Sequence, residues 1–526
     1  MKRTTLNFKQ NRKNLLVDSR GKPIEQFSDH YGYRSAEEDR LNAGFTTRIF
    51  TPSALISLAA RKLRARAQDL ERDSDYTRRF LKLTEDNIIG WKGIRYQSEA
   101  TRSERTDTAD RQAIRLIEDT WKGWSDCDQT TLDRSCDMVD LLKMLVRRRF
   151  VDGEVFVELM PGAKNDYRFA LRVHDADDIP LGFHDTERNI RFGIRYNKDG
   201  AAVSYFVNTR KSNILYGAAF SEDDLVEVPA SRMCHYYVAE RPGQRRGITG
   251  LCSTAERLYM LQKFEQATLV GAQIASSKMG FFRDPDDESL DPISGTDSQG
   301  EGENEQMLID VGAGEFQDIG HKMFESFDVD YPPARYEEYT KSLIREAASG
   351  LGISYHILAN DPSSVNYSTA REFKLQDVEF FRTEQQRIIR KVLNPVADSW
   401  LKIQLLTPDF DRYQRGDYKR LKPRRWQTRG WDWVDPMKEA QGNKLQIEMG
   451  VKTPSMVCND KGVDFEEVCE QFDRDRQIAE RFGLDFDAMI GTSNEITDDN
   501  PQNQGDENSI DPVNPNNKKS DNKWLT

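Results

Sequence analysis

Cysteine, long apolar runs, enzyme signature motifs and an excess of basic charge are what this 526-residue chain has little of or lacks. Its six cysteines, Cys127, Cys136, Cys234, Cys252, Cys458 and Cys469, are dispersed. They form no CxxC pair and no zinc-ligand spacing beside histidine, so they read as reduced structural thiols. No apolar stretch approaches the roughly 18 residues that span a bilayer. The opening MKRTTLNFKQNRKNLL has charge but no following apolar segment of the secretory type. The expectation is a soluble protein, made in a cytoplasm, with no membrane partner. The net charge is −12, opposite in sign to that of a protein that grips DNA by its phosphates. If DNA is a partner, it is held weakly.

The signatures of catalysis are missing too. A DNA-pumping ATPase needs a GxxxxGK[ST] loop, whose amides and lysine neutralise phosphates. The nearest glycine cluster, PGQRRGITG at Pro242 to Gly250, has no lysine and follows no clear buried parallel strand. There is no GxSxG elbow and no HExxH. None of the six histidines has a close partner three or four residues on. Only His174, followed by Asp175, Asp177 and Asp178, gathers ligand-like groups, and such a run reads as a turn with solvated carboxylates rather than a metal site. The chain is therefore expected to have no catalytic residues, no metal and no cofactor, and not to be an enzyme.

What is present is a long, charged, helix-rich chain. Its length calls for several subdomains. Its 37% hydrophobic and 31% charged content points to an elongated or oligomeric protein with much surface per residue. Residues 1–45 are polar and read as an extended arm. Thr51-Pro52-Ser53 caps a first, Arg-rich helix. A second helix carries Phe80, Leu81, Leu83 and Ile88 and stops at Gly90, and Arg111 to Trp124 repeats apolar residues at helical spacing. From Gly153 to Val238 short strands alternate with turns, and Asp199-Gly200 marks a hairpin. Helices followed by antiparallel strands make an α+β chain.

After Gly250 comes a proline-free helical stretch, about 40 Å long if continuous at 1.5 Å per residue. An acidic, Gly/Ser-rich excursion follows, with strand candidates at MLIDV and EFQDI, then helices at Ala334 to Ser349 and Ser368 to Leu406. Arg429 to Phe482 is helical, with Asp432 and Asp435 as early caps and Gly450 and Gly483 as stops. From about Gly491 the Asn, Asp, Gln, Ser and Pro content predicts disorder.

Two helices flanking an excursion can stand side by side, and repeated about an axis such pairs form a tube wall. At this point four stretches in order carry a family likeness. They are HYYVAERPGQRRGITG, with the helix end ATLVGAQIASSKMGFF; YEEYTKSLIREAASGLGISYHILANDPSSVNYSTAR; and DWVDPMKEAQGNKLQIEMGVKTPSMVCNDKGVDFEEV. The third, with its G-I-S-Y turn and the N-Y-S-T-A-R motif at Asn366 to Arg371, is the most specific. Together they resemble the lambda-like family of tailed-phage portal proteins over roughly residues 46–482.

The resemblance implies a portal fold with an α+β wing, a two-helix stem, a small α/β clip and a helical crown, assembled as a dodecameric ring at one capsid vertex. In these terms 1–45 is the arm, 46–249 the wing, 250–278 the first stem helix and 279–331 the clip. The second stem helix is 332–351, the channel loop and a wing helix 352–412, the crown 413–485 and a disordered tail 486–526. Such a ring passes double-stranded DNA inward during packaging by the terminase and outward at ejection, initiates capsid assembly, and docks head-completion and tail proteins. Its implied partners are further copies of the chain, the terminase large subunit, the major capsid and scaffolding proteins, tail adaptors, and weakly held DNA. The implied location is the virion, with assembly in the host cytoplasm.

Residue by residue, Glu338, Lys341 and Arg345 share one helical face, read either as a solvated ion-paired face or as channel lining that touches phosphates. Asn360, Ser363, Ser364 and Asn366 are further channel-facing candidates in the loop Gly352 to Tyr367. Asn366, Tyr367, Ser368 and Arg371 form a helix-start motif, capped by either Asn366 or Ser368. In the excursion, Asp286, Asp287, Glu288, Glu301, Glu303 and Glu305 are either a solvated loop or a docking collar for a basic partner. Phe380, Phe381 and Trp400 read as core. The Arg-rich helix from Arg61 to Arg72 faces neighbouring subunits, capsid protein or solvent.

Overall fold

The structure is a computed structural model that describes residues 49–103, 106–209, 221–276, 280–283, 323–326, 335–363, 366–431 and 436–484. The expected arm, the strand candidates MLIDV and EFQDI, the six acidic clip candidates, Ser364, the caps Asp432 and Asp435, and the C-terminal tail lie outside them. The chain divides into two compact units, Met1–Arg429 and Gly430–Thr526.

The first unit opens with α1 (Pro52–Asp73), where the Thr51 hydroxyl accepts from the Ala54 amide and Pro52 occupies the first turn. Ser74 ends α1 and caps α2 (Asp75–Thr84) through the Thr77 amide. The helix then widens into a π-turn, Glu85–Ile89, and stops at Gly90, whose φ of +76° suits glycine. Next come β1 (Arg95–Ser98), the hairpin β2 (Thr101–Ser103) and β3 (Thr106–Ala109), α3 (Arg111–Ser125) and α4 (Met138–Val151). The helical spacing of Ile117, Trp121 and Trp124 turns them all inward on α3.

The β region contains two antiparallel sheets. In one, β4 (Glu154–Pro161) and β5 (Phe169–His174) are neighbours; β6 (Ile190–Arg191), β7 (Ile194–Tyr196), β8 (Ala202–Asn208) and β9 (Leu225–Pro229) form the other as a meander. The chain then returns as β10 (Met233–Tyr237) to the free side of β4. Asp199-Gly200 turns the β7–β8 hairpin, with Gly200 at φ +82°. Phe156, Ile179, Ile194, Tyr205 and Val228 are among the residues that make the core of this region.

The long helix starts four residues later than the sequence suggests. α5 runs Ala255–Ser276, about 33 Å at 1.5 Å per residue, because 251–254 form a turn that closes on the Leu251 carbonyl. Two short strands follow, β11 (Gly280–Arg283) and β12 (Met323–Ser326), paired antiparallel so that the two ends of the excursion are brought together. Then come α6 (Tyr336–Leu351), α7 (Tyr355–Ala359) and α8 (Tyr367–Ile388). The single helix expected from Ser368 to Leu406 is interrupted: α8 passes through a π-turn, Ile389–Leu393, into α9 (Asn394–Gln404). Pro395 lacks the N–H of a continuous α-ladder and its ring crowds the preceding turn, which accounts for the irregularity there.

α10 (Tyr418–Leu421) precedes β13 (Arg424–Gln427), which pairs with β1 from Arg95↔Gln427 to Ser98↔Arg424. This differs from the expected start of the helical crown at residue 413. Residues 413–429 belong with the first unit, held there by the ladder and by an aromatic cluster of Trp121, Trp124, Trp400, Trp426 and Tyr96. Trp400 and Phe381 are buried as expected, and Phe380 is half-buried.

The second unit holds α11 (Pro436–Glu448), α12 (Pro454–Asp460), capped by Thr453, and α13 (Phe465–Arg481), capped by Asp464. Gly450 and Gly483 end α11 and α13 at positive φ, as predicted.

A buried carboxylate joins several elements of the first unit. Glu154, at the start of β4, is fully buried and accepts from Arg246 Nε at 2.8 Å, the Gly247 amide at 2.9 Å, Arg64 Nη2 at 3.0 Å and His235 Nε2 at 2.9 Å. Burial alone would raise its pKa, but the Arg246 charge and the His235 hydrogen bond hold it below the ordinary carboxylate range. Burial depresses the His235 pKa, so a neutral ring donates Nε2–H to Glu154. Arg246 completes its fork on the carbonyls of Ile179, Phe192 and Ala176. Arg64 also pairs with Asp177 and donates to the Asp152 carbonyl, so this member of the Arg-rich face of α1 points into the protein, to neither solvent nor a neighbour. The Asp175–Asp178 turn is likewise internally bonded, and His174 Nε2 meets Glu158 at 3.0 Å.

Glu154→Gln leaves the buried Arg246 guanidinium without its counter-charge, while Arg64 keeps Asp177, and is expected to cost about 3–5 kcal/mol, read as a lower midpoint in chemical denaturation. Asp152 has the opposite sign. Burial outweighs Arg148 and Gln68 and pushes its pKa up to about 6 from an ordinary 3.8. An acid whose folded pKa is raised detracts from stability above about pH 6, and the penalty is relieved as pH falls toward 3.8. Asp152→Asn is therefore expected to be more stable than the parent at neutral pH, by about 1–3 kcal/mol, with the difference shrinking toward pH 4.

Candidate functional site

α5 and α6 stand side by side and antiparallel. Phe264 stacks on Tyr336 and meets Tyr339 edge-on, Arg257 pairs with Glu346 at 3.0 Å, and Ser253 donates to the Gly350 carbonyl, so contacts rise along one helix as they fall along the other. Leu258 and Ala255 of α5 pack with Ala347 of α6 and with Leu70 of α1, which fixes the pair to α1. Gly350 lies against Thr254, where a Cβ would come within 2.4 Å of its methyl group. Within α6, Glu337, Glu338 and Glu346 stand against Lys341 and Arg345, three negative charges to two positive.

The segment after α6 is a built turn rather than an open loop. Gly352, at φ +77°, closes α6, with the Ile353 amide returning to the Ala348 carbonyl. Ser354 gives its amide and hydroxyl to Asp377 of α8, at 2.8 and 2.6 Å. α7 ends on Asn360 in the left-handed region, and Asp361 gathers the rest. Its carboxylate accepts from the Tyr355 hydroxyl at 2.9 Å, the Ser363 amide at 3.0 Å and the Ser363 hydroxyl at 2.5 Å, with Lys341 Nζ at 3.5 Å. The Ser363 bonds hold the Asp361 pKa below its ordinary value.

Of the sequence-predicted residues, Lys341 and Ser363 converge on Asp361, with Asn360 as the turn that presents it. Lys341 is tied to Glu337 at 2.6 Å rather than to Glu338, which is exposed. Arg345 lies over the Tyr355 ring at 5.2 Å. Of the two alternatives for the cap of α8, the structure selects Asn366, whose side chain accepts from the Thr369 amide at 2.9 Å and its hydroxyl at 2.7 Å; Ser368 and Arg371 are exposed on the first turn, and Tyr367 is the first helical residue. Sequence reasoning missed Asp361, Tyr355 and the Ser354–Asp377 tie. The Asp-Pro-Ser run was the available signal, since such an aspartate bonds the backbone two residues on.

The sequence model described as "Phage portal protein, lambda family" matches residues 38–385. The chain belongs to that family. Portal proteins of this family are structural components of the phage particle, and the chain joins them on that footing. A "Probable portal protein" of Halomonas phage phiHAP-1 is 27% identical over 458 residues, spanning 86% of this chain and 87% of the relative. The "Portal protein B" of Escherichia phage lambda is 23% identical over 471 residues, spanning 80% of this chain and 84% of the relative. Among solved structures, chains from the neck of an empty gene transfer agent particle and from the native virion of such an agent are similar at TM-scores of 0.39 and 0.37 and 13% and 12% identity. They cover 76% and 78% of this chain and 93% of each other chain.

Asp361→Ala removes the acceptor on which the portal turn closes. Faster amide hydrogen exchange is expected across residues 354–363, with exchange in α3 and α4 unchanged; equal protection of the turn in both proteins would show that the carboxylate does not hold it.

Proposed function

We propose that the chain forms a dodecameric ring at one capsid vertex, with α5 and α6 as the stem helices and the loop 352–367 beside the channel. Double-stranded DNA passes through this ring during packaging and ejection. The observation that carries the reading is the antiparallel α5–α6 pair, with the excursion joined by β11 and β12 at one end and the Asp361 turn at the other. In this reading the segment 279–331 docks the terminase large subunit and later the head-completion and tail proteins, through Asp286, Asp287, Glu288, Glu301, Glu303 and Glu305. The ring also starts capsid assembly with the major capsid and scaffolding proteins in the host cytoplasm.

The chemistry of α6 supports a passive conduit. Its charges nearly cancel and Lys341 is already paired, so a passing duplex meets few free cations to hold its phosphates. Movement of DNA is then the work of a separate ATPase, and the chain itself has no catalytic step. Glu338, Lys341, Arg345, Asn360, Ser363, Ser364 and Asn366 are the residues proposed to face the channel.

Electron micrographs of the purified protein are expected to show rings with a central hole; compact particles without one would overturn the reading. In rings that assemble normally, Lys341→Glu is expected to lower the packaging rate or the packaged length. Unchanged packaging would remove Lys341 from the channel wall.

A further inference from the structure

Away from the stem, the first unit contains a cleft of about 680 Å³ that the conduit reading does not use. One wall is the β7–β8 hairpin, with Tyr196 and Tyr205. The opposite wall is the π-turn between α8 and α9, with Arg390 and Lys391. The floor is β10. Met233, Cys234 and His235 all line the cleft. Successive strand residues point to opposite faces of a sheet, so three in a row on one cleft mean that it runs along the strand's edge.

That edge is open. The sheet order is β10-β4-β5, so β10 has a neighbour on one side only. In an antiparallel ladder alternate residues bond the partner, which leaves half of the β10 amides and carbonyls directed away from β4. Among the described residues, no backbone or side-chain group bonds to that outer edge.

The charge of the cleft is the reverse of the chain's. Arg245, Arg390 and Lys391 line it against the single carboxylate of Asp199, in a protein of net charge −12. Among the described residues none of the three cations has a carboxylate partner. Arg245 is held in place, 4.0 Å over the Tyr196 ring and donating to the Gly200 carbonyl at 3.0 Å, and Lys391 stands 5.7 Å from the Tyr237 ring. Arg390 and Lys391 are exposed.

We propose that this cleft binds an extended acidic segment of a partner protein, which adds to β10 as a fourth strand and sets its carboxylates against Arg245, Arg390 and Lys391. Main-chain bonds to the open edge supply affinity and the cations select the acidic sequence. The five residues of β10, Met233–Tyr237, set the length of the paired register. A cleft along a strand edge suits a single extended chain, because a strand lies only about 4.8 Å from its neighbour. A duplex instead displays its phosphates along a convex helix and calls for a basic stripe.

The test is fluorescence polarisation of a labelled peptide of about ten residues alternating Glu and Val, titrated with the full chain in its native assembly. Binding is expected, and it weakens as salt rises. The double variant Arg390→Glu, Lys391→Glu is expected to bind at least about tenfold more weakly, with its unfolding midpoint and assembly retained. A peptide of the same sequence with alternate amides N-methylated loses binding, because it cannot complete a ladder. Absence of binding to the parent, equal affinity of the double variant, equal binding of the methylated peptide, or displacement by a short DNA duplex or inorganic phosphate would each overturn the proposal. If the double variant does not fold, the peptide with Lys in place of Glu decides: its binding to the parent overturns the proposal and its failure to bind upholds it.

Discussion

Glu154 is a negative charge placed where water cannot reach it, and the wing is arranged around neutralising it. Removing a carboxylate from water costs several kcal/mol, recovered only by well-placed donors. Here the donors come from α1 through Arg64, from β10 through His235, and from the turn before α5 through Arg246 and the Gly247 amide. A Cβ at Gly247 would stand 2.1 Å from the Gly153 carbonyl oxygen, so only glycine lets the two backbone segments close on each other. One side chain thus joins a helix, two strands and the approach to the stem. The position from which α5 leaves the wing depends on it.

The same logic of paired charge governs the end of α6. In the sequence Lys341 reads either as part of an ion-paired helix face or as channel lining; in the fold it lies between Glu337 and Asp361. Asp361 in turn closes the segment after α6 on Tyr355 and Ser363, and Ser354 ties that segment to α8 through Asp377. A surface with its charges already satisfied has little left to offer a phosphate backbone. This fits the passive conduit proposed above, and it contrasts with the cleft beside β10, where three cations lack a carboxylate partner among the described residues.

Much of the local structure was legible because its causes are local. Thr51-Pro52 capping α1, the inward stripe of α3, the Asp199-Gly200 hairpin and the stops at Gly450 and Gly483 all follow from residues within a turn or two of one another. The misses have tertiary causes. Arg64 sits in an Arg-rich surface pattern but is drawn inward by a carboxylate 90 residues away. The family resemblance placed residues 413–429 with the crown, yet Arg424–Gln427 completes a ladder with β1, more than 300 residues earlier in the chain. The break in the helix after Ile388 lies next to Pro395 and could have been placed from that proline.

By itself the sequence determined the α+β class, the position of most helices and strands, the absence of the expected enzyme motifs and, through four ordered motifs, membership of the lambda-like portal family. Periodicity, capping and glycine placement act over a few residues, so a linear reading captures them. Only the tertiary structure decided which charges are free. It buried Arg64, paired Lys341, chose Asn366 over Ser368 as the cap of α8, and left Arg390 and Lys391 open over an unpaired strand edge. The reason is that an ion pair depends on distance in space, and the chain brings together partners as far apart as Glu154 and Arg246 only by folding.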